Sequence, residues 1–231
     1  MPSLKFELHE SILTVSFYKP EGGNSFGISE AEELSRAIAK YKKSASGLLW
    51  KSDNPRLFCA GGDLKAHSRM KKKSEGLAQA KKIGAALSLL AKWPIPKVAY
   101  VAGDCFGGGL ELLSCFDYRV AAPHVVFGFW QRRIGLSFGW GGYKRYCEIL
   151  SADAIKAKSF TASVFGASEA LRIGIIHSIG HEELAHAWLK QCGRWSSASA
   201  ETLATLSAQN EAAKFSALWW SEAHRAALKK F

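Results

Sequence analysis

Two segments of this 231-residue chain join a strand to a helix through glycines: Cys59-Ala60-Gly61-Gly62-Asp63-Leu64 and Gly103-Asp104-Cys105-Phe106-Gly107-Gly108-Gly109-Leu110-Glu111. The chemistry open to such junctions is stabilisation of negative charge. The first turn of a helix carries N–H groups with no partner inside the helix, and the positive end of the helix dipole lies behind them. Glycine lets a ligand approach that backbone without a Cβ in the way. Two junctions can aim two N–H donors at one oxygen, an oxyanion hole for a carbonyl on which charge develops. Glu111, three residues after Gly108, adds a carboxylate able to move a proton beside that carbonyl. Each feature has a plainer reading when taken alone. Gly107–Gly109 would serve close helix–sheet packing, Gly61-Gly62 an ordinary loop, and Glu111 the surface of a helix.

Several other chemistries find no pattern. Neither glycine run fits GxGxxG followed by an acid, and neither continues into the Gly-Lys-Ser/Thr of a P-loop. Of the seven histidines only His177 and His181 have a ligand-like spacing, and they straddle an expected turn, so no metal site is expected. Cys59 and Cys105 flank the two loops, but no Ser/Cys–His–Asp order accompanies them, so covalent catalysis is not expected either. His67 follows Asp63 by four residues and is open to two readings, a ligand contact or a loop residue without chemistry.

Order and spacing together are more specific. Phe58-Cys59-Ala60-Gly61-Gly62-Asp63-Leu64, Pro96-Lys97-Val98-Ala99, Gly103 through Leu112 and Phe116-Asp117-Tyr118-Arg119 resemble the crotonase (enoyl-CoA hydratase/isomerase) superfamily. Pro20 through Asn24, Gly135 through Gly142, and Ala167-Ser168-Glu169-Ala170 with Gly174-Ile175-Ile176 extend the likeness. The resemblance implies an α/β fold, a crotonase-like spiral of ββα units with a helical C-terminal region. It implies an acyl-coenzyme A thioester as ligand, with an acyl-carrier-protein thioester as the variant, and assembly as a homotrimer or hexamer. Coenzyme A is then part of the substrate and no separate cofactor is expected. Carried over by position, the oxyanion amides are those of Ala60 and Gly108. Gly61, Gly62, Asp63, Leu64, Lys65 and Gly107 would line the substrate and its coenzyme A arm.

Family hydratases use two glutamates around a shared enolate chemistry. Glu111 matches one. Counting forward from Asp117 and back from Gly141-Gly142 places the other at Gln131, after Phe127-Gly128-Phe129-Trp130. An amide accepts and donates hydrogen bonds but is no general base near neutral pH. The expectation is an isomerase or decarboxylase in which Glu111 is the single acid/base, ahead of a hydratase, with thioester hydrolysis last. Arg132 or Arg133 would either meet a substrate carboxylate or form surface salt bridges. A non-catalytic or RNA-binding relative is the alternative, although no aromatic–basic motif of RNA recognition is visible, and nucleic acid is not the expected partner.

The elements that must position these residues follow from periodicity. Residues 4–9 and 11–17 read as strands, with Leu13, Val15 and Phe17 alternating with polar residues. A helix is expected over 29–42, short strands over 47–50, 97–102 and 118–121, and a long helix from a Ser74 cap to Trp93, with Ile83, Leu87 and Leu90 as its inward stripe. Residues 1–180 are expected to form the spiral core. Residues 181–231 are expected to form a helical region for oligomerisation or pocket cover, almost wholly helical from Glu201, with Trp219-Trp220 in the core or at a subunit interface.

Composition agrees with this picture. Apolar residues make up 48% and charged residues 22%, which excludes a disordered or fibrous chain. Apolar stretches fall short of a membrane span, and Met1–Glu7 lacks the pattern of a secretory leader. Five scattered cysteines without a CxxC pair point to reduced thiols and a cytoplasmic setting. The net charge of +11 favours a polyanionic partner. Lys65, Arg69, Lys71, Lys72, Lys73, Lys81 and Lys82 concentrate it, either as a solvated loop and helix face or as neighbours of the coenzyme A phosphates.

Overall fold

The structure, a computed structural model, describes residues 3–18, 23–195, 197–206 and 209–229. Pro20 of the early loop lies outside them. The chain opens with an antiparallel hairpin, β1 (Leu4–His9) and β2 (Ile12–Phe17), turned by Glu10 and Ser11 at positive φ. Helix α1 (Ile28–Tyr41) follows. From there successive strands alternate between two sheets until two in a row enter the second. β3 (Gly47–Ser52), β5 (Lys97–Val101), β7 (Tyr118–Ala121) and β10 (Ser178–Ile179) extend the hairpin as parallel neighbours, in the order β1-β2-β3-β5-β7-β10. β4 (Leu57–Cys59), β6 (Asp104–Phe106), β8 (Val126–Gly128) and β9 (Phe165–Gly166) form a second sheet in chain order, parallel except for β8 with β9.

Helices α2 (Leu64–Ser68) and α3 (Lys73–Lys92) follow β4, and α4 (Gly108–Leu113) follows β6. Each turn of the winding thus gives one strand to each sheet and then a helix, the ββα repeat that was expected. After β8 come α5 (Gly142–Cys147), α6 (Ala152–Thr161), α7 (Ala167–Arg172) and α8 (Glu182–Cys192). They are followed by α9 (Ser197–Ala204), α10 (Glu211–Leu218) and α11 (Glu222–Leu228).

Parallel strands covered on both faces are continuously apolar, and β3 and β5 are buried along nearly their whole length. Trp50 of β3 sits among Phe17, Phe26 and Phe116, with ring centroids 5.4–6.4 Å away. Ile83, Leu87 and Leu90 of α3 are fully buried in the same cluster. On the other face, Ala185 and Leu189 of α8 pack on Leu49, Val98 and Val120.

Two buried cations tie the winding together. Lys97 is wholly inaccessible; its Nζ donates to Trp93 O and Ile95 O and pairs with Asp117 at 3.0 Å. Arg119 donates to the carbonyls of Phe116, Gly174 and Ile175, which joins β7 to the segment after α7.

The elements depart from expectation in two places. Helix α3 begins at Lys73, so Ser74 lies inside it and caps nothing; Glu75 reaches back instead and accepts from Lys71 N–H at 3.0 Å. After α8 the chain forms three short helices rather than one continuous stretch, and Trp219 and Trp220 are 59% and 61% exposed. They are therefore not core of this chain.

Candidate active site

Glu111 is the centre of the site. Strand β6 delivers the chain to Gly107, whose N–H donates to Gly128 O at 2.8 Å across to β8. Helix α4 starts there and is buried from end to end. The Glu111 side chain, 2% exposed, is held by backbone of the 139–142 segment: Oε1 accepts from Gly139 N–H (3.2 Å), and Oε2 accepts from Trp140 N–H (2.8 Å) and Gly142 N–H (3.0 Å). The approach is so close that a Cβ on Gly142 would lie 2.5 Å from Glu111 Cγ and 2.8 Å from its Cα. Arg145 of α5 closes the clamp, donating to Glu111 O, Trp140 O and Ser114 Oγ.

Gln131 lies in a 3₁₀ turn, Trp130–Ile134, directly after β8. Its Nε2 is 3.5 Å from Glu111 Oε1, and its buried Oε1 has no hydrogen-bond partner among the described residues. The side chain facing the carboxylate is thus an amide with acceptor capacity to spare. Trp130 stacks flat on Phe106, with centroids 3.7 Å apart. Beside Gln131 opens a cavity of about 420 Å³ with apolar walls from Phe129, Leu136, Phe138, Tyr143 and Phe160. Arg132 and Arg133 make no salt bridge among the described residues, and Arg132 lines this cavity. Arg132 donates to Phe160 O, and Arg133 donates to Ala162 O and lies over the Trp130 ring, so both grip the end of α6.

The two glycine junctions do meet. Gly61 has φ of +100°, and a Cβ there would stand 3.0 Å from Gly108 N and 3.1 Å from Phe106 O. Gly108 stands at this meeting point as expected, but its partner there is not Ala60. Ala60 N–H donates to Gly23 O at 3.0 Å and is spoken for. Gly62, expected only as a lining residue, carries an N–H with no hydrogen bond among the described residues, as does Gly108 at the first helical position. Asp63 caps α2 by accepting from Ala66 N–H at 3.0 Å, and Leu64 and Lys65 face outward. The basic residues from Lys65 to Lys82 are exposed. His67 turns back so that its ring would touch a Cβ on Gly62 at 3.0 Å, which brings it to the edge of the junction.

Trp140 was not anticipated. Its six-membered ring lies flush against Gly108: a Cβ there would be 2.2 Å from Cζ3 and 2.4 Å from Cη2. The same ring passes 3.5 Å from the Cβ position of Gly62 and packs on Phe26, with centroids 6.1 Å apart. The indole is 8% exposed. The sequence did hold a signal, one bulky residue set in the run Gly139-Trp140-Gly141-Gly142.

Other candidates are placed away from chemistry. All five cysteines are unpaired, and burial pushes the Cys59 thiol up to about 12, far from a working nucleophile. His177 stacks on Tyr118 while His181 precedes α8, and the described residues hold no group of three or more His, Cys, Asp or Glu able to hold a metal. No helix among them is long and apolar enough to cross a membrane.

Comparison with known proteins gives a consistent picture. The model of a family described as Enoyl-CoA hydratase/isomerase matches residues 7–226. The human mitochondrial methylglutaconyl-CoA hydratase is 30% identical over 175 residues, covering 75% of this chain and 51% of that protein. Mouse enoyl-CoA hydratase domain-containing protein 2 is 29% identical over 182 residues, covering 78% and 61%. The chain thus spans a little over half the length of these relatives. Among solved structures, enoyl-CoA hydratase from Bacillus anthracis superposes with a TM-score of 0.90 at 18% identity, over 98% of this chain and 95% of that one. The enzyme from Thermoplasma volcanium GSS1 also reaches 0.90, at 19% identity, over 100% and 98%.

Proposed function

Because the chain belongs to the enoyl-CoA hydratase/isomerase family, we propose that it acts on an acyl-coenzyme A thioester through an enolate, with Glu111 as its one acid/base. In this reading the thioester oxygen takes hydrogen bonds from Gly62 and Gly108 N–H, where negative charge develops. Glu111 removes a proton from one carbon of the acyl group, the electrons pass to the oxygen, and the proton returns at another carbon. In the decarboxylating variant carbon dioxide leaves, and a protonated Glu111 supplies the α-hydrogen. Isomerisation or decarboxylation ranks ahead of water addition. The exposed cations from Lys65 to Lys82 would meet the phosphates, and a reducing, cytoplasmic setting belongs to the same reading.

The observation that carries it is the amide of Gln131 opposite Glu111. Water addition needs the water both held and deprotonated, and this partner can only hold it. A second reading, an acyl-CoA binder without turnover, draws on the indole that lies over Gly108.

The test is incubation in D2O with enoyl-, β,γ-enoyl- and malonyl-type coenzyme A esters, followed by mass spectrometry. Deuterium uptake or double-bond migration is expected, slowed roughly 10²–10⁴-fold by Glu111→Gln, the range of a lost general acid/base. Rapid hydration of crotonyl-CoA would sink the use made of Gln131. Binding with no exchange at all would favour the second reading.

A further inference from the structure

A cleft of about 600 Å³ opens between helices α3 and α5, and none of Glu111, Gln131, Gly62 or Gly108 lines it. Its size is that of a small-molecule site, which spans roughly 300–1,000 Å³. Helix α3 gives it Lys81 and Lys92, α5 gives it Lys144 and Arg145, and the buried Arg119 of β7 makes a fifth cation. Its carboxylates are two, Asp117 and Glu148, and Asp117 already answers Lys97. Five cations against two acids leave an excess of three positive charges in one concavity. A cleft lined by one sign of charge focuses the field within it and draws the opposite charge in.

Most of these cations have donors to spare. Lys81, Lys92 and Lys144 are exposed, and their ammonium groups make no hydrogen bond or ion pair among the described residues. Arg145 is fixed in place, with Nε donating to Ser114 Oγ and Nη2 to Glu111 O and Trp140 O, while its Nη1 has no partner among the described residues. Arg119 spends its donors on carbonyls and lends charge alone. The positions are spread out. A Cβ on Gly84 would lie 3.6 Å from Trp140 Cα, so Lys81, one turn earlier in α3, belongs to the Arg145 end. Lys92 stands eleven residues further along the helix, about 16 Å by its rise. One small anion cannot answer both ends, whereas linked phosphates can, with lysine side chains reaching inward. Ammonium and guanidinium groups only donate, and an ionised phosphate is the acceptor that matches them.

We propose that the cleft between α3 and α5 binds a polyphosphate-bearing small molecule, at a site separate from that of the acyl thioester. Lys81, Lys144 and Arg145 Nη1 take one end of it and Lys92 the other. Arg145 makes this site a neighbour of the acid, because the same guanidinium holds the carbonyls of Glu111 and Trp140.

The experiment is calorimetric titration of the full chain with tripolyphosphate, ATP and coenzyme A. The cleft variant is Lys92→Ala with Lys144→Ala. Lys42→Ala with Lys43→Ala, exposed at the end of α1 and outside the cleft, removes equal charge as a control. Wild type is expected to bind one equivalent of tripolyphosphate. The cleft variant should weaken this about tenfold or more, the scale of a lost charge-assisted hydrogen bond, and the control should leave it unchanged. ATP binding more tightly than tripolyphosphate would make the ligand a nucleotide, and ATP binding no more tightly a bare polyphosphate; either upholds the site. Coenzyme A should bind alongside tripolyphosphate and be indifferent to the cleft variant. No binding of tripolyphosphate or ATP by wild type, or equal weakening by both variants, overturns the proposal and leaves the acyl-CoA reading intact. Displacement of tripolyphosphate by coenzyme A, with coenzyme A itself weakened by the cleft variant, also overturns it, since the cleft would then seat the coenzyme arm. Coenzyme A that fails to bind while tripolyphosphate occupies the cleft overturns the acyl-CoA reading alone.

Discussion

Gln131 presents its amide nitrogen to Glu111 Oε1 at 3.5 Å, while its own carbonyl oxygen, buried beside the acid, lacks a partner. A carboxylate at position 131 would face Glu111 across the same gap. Two like charges that close oppose joint ionisation, and the pair would share a proton as a coupled system. Gln131→Glu is therefore expected to gain a water-activating base and to raise crotonyl-CoA hydration by roughly 10²-fold, the low end of what such a group contributes. Spectrophotometric loss of the enoyl chromophore measures it. No gain would mean that the surroundings, Trp130 and Trp140 among them, leave water no place to stand.

Asp117 is the sole carboxylate paired with the inaccessible Lys97 ammonium among the described residues. Asp117→Asn would leave that charge with two carbonyl acceptors and no counter-ion. Losing one partner of a fully buried pair costs roughly 3–5 kcal/mol; Asp117 is itself exposed and partly screened by solvent, and two acceptors survive, so a smaller loss is expected here. Urea unfolding should register it. The double variant Lys97→Met/Asp117→Asn should recover part of the loss, since it removes the stranded charge.

Partial desolvation beside Tyr118 and, secondly, the Arg119 guanidinium lower the pKa of His177, which keeps one side to solvent, to about 4. Its Nδ1 accepts from Arg119 N–H, a bond open only to the neutral ring. Above pH about 6.5, the ordinary histidine value, the ring is neutral folded or unfolded and costs nothing. As pH falls from there towards 4 the unfolded chain takes up a proton that the fold refuses, so stability declines across that window. Melting curves should show the decline, and His177→Gln should flatten it. An unchanged profile would place the titrating group elsewhere.

Trp195, Phe215, Trp219 and Trp220 are each more than half exposed along the last helices. Contiguous apolar exposure on that scale marks an association surface, and a second copy of this chain is the expected occupant, in keeping with a trimer or hexamer. Sedimentation should return an oligomer mass, reduced by Trp219→Ser with Trp220→Ser. A monomer at all concentrations in wild type would refute it.

Much of this was legible in the residues themselves. Strand alternation at Leu13, Val15 and Phe17 and the Ile83–Leu87–Leu90 stripe are local patterns, and each fell where the period put it. Glu111 opposite Gln131 followed from spacing, because short strands and a short turn leave little slack between them. What failed depended on contacts from elsewhere in the chain. Ala60 N–H is consumed by Gly23, a residue remote in sequence, and no local rule reveals that. The Ser74 cap lost to Glu75, whose longer side chain reaches back over the turn. Trp140 was overlooked because a lone aromatic in a glycine turn gives no sign of which way its ring will fall.

The three donors that the 139–142 segment offers Glu111 all belong to the main chain. An amide nitrogen is supplied by almost any amino acid, so position 140 is at liberty to change its side chain without unseating the acid beside it. Inheritance can thus revise the side chain that packs against Gly108, from bulky to tiny, in a single codon and without rebuilding the proton-handling apparatus.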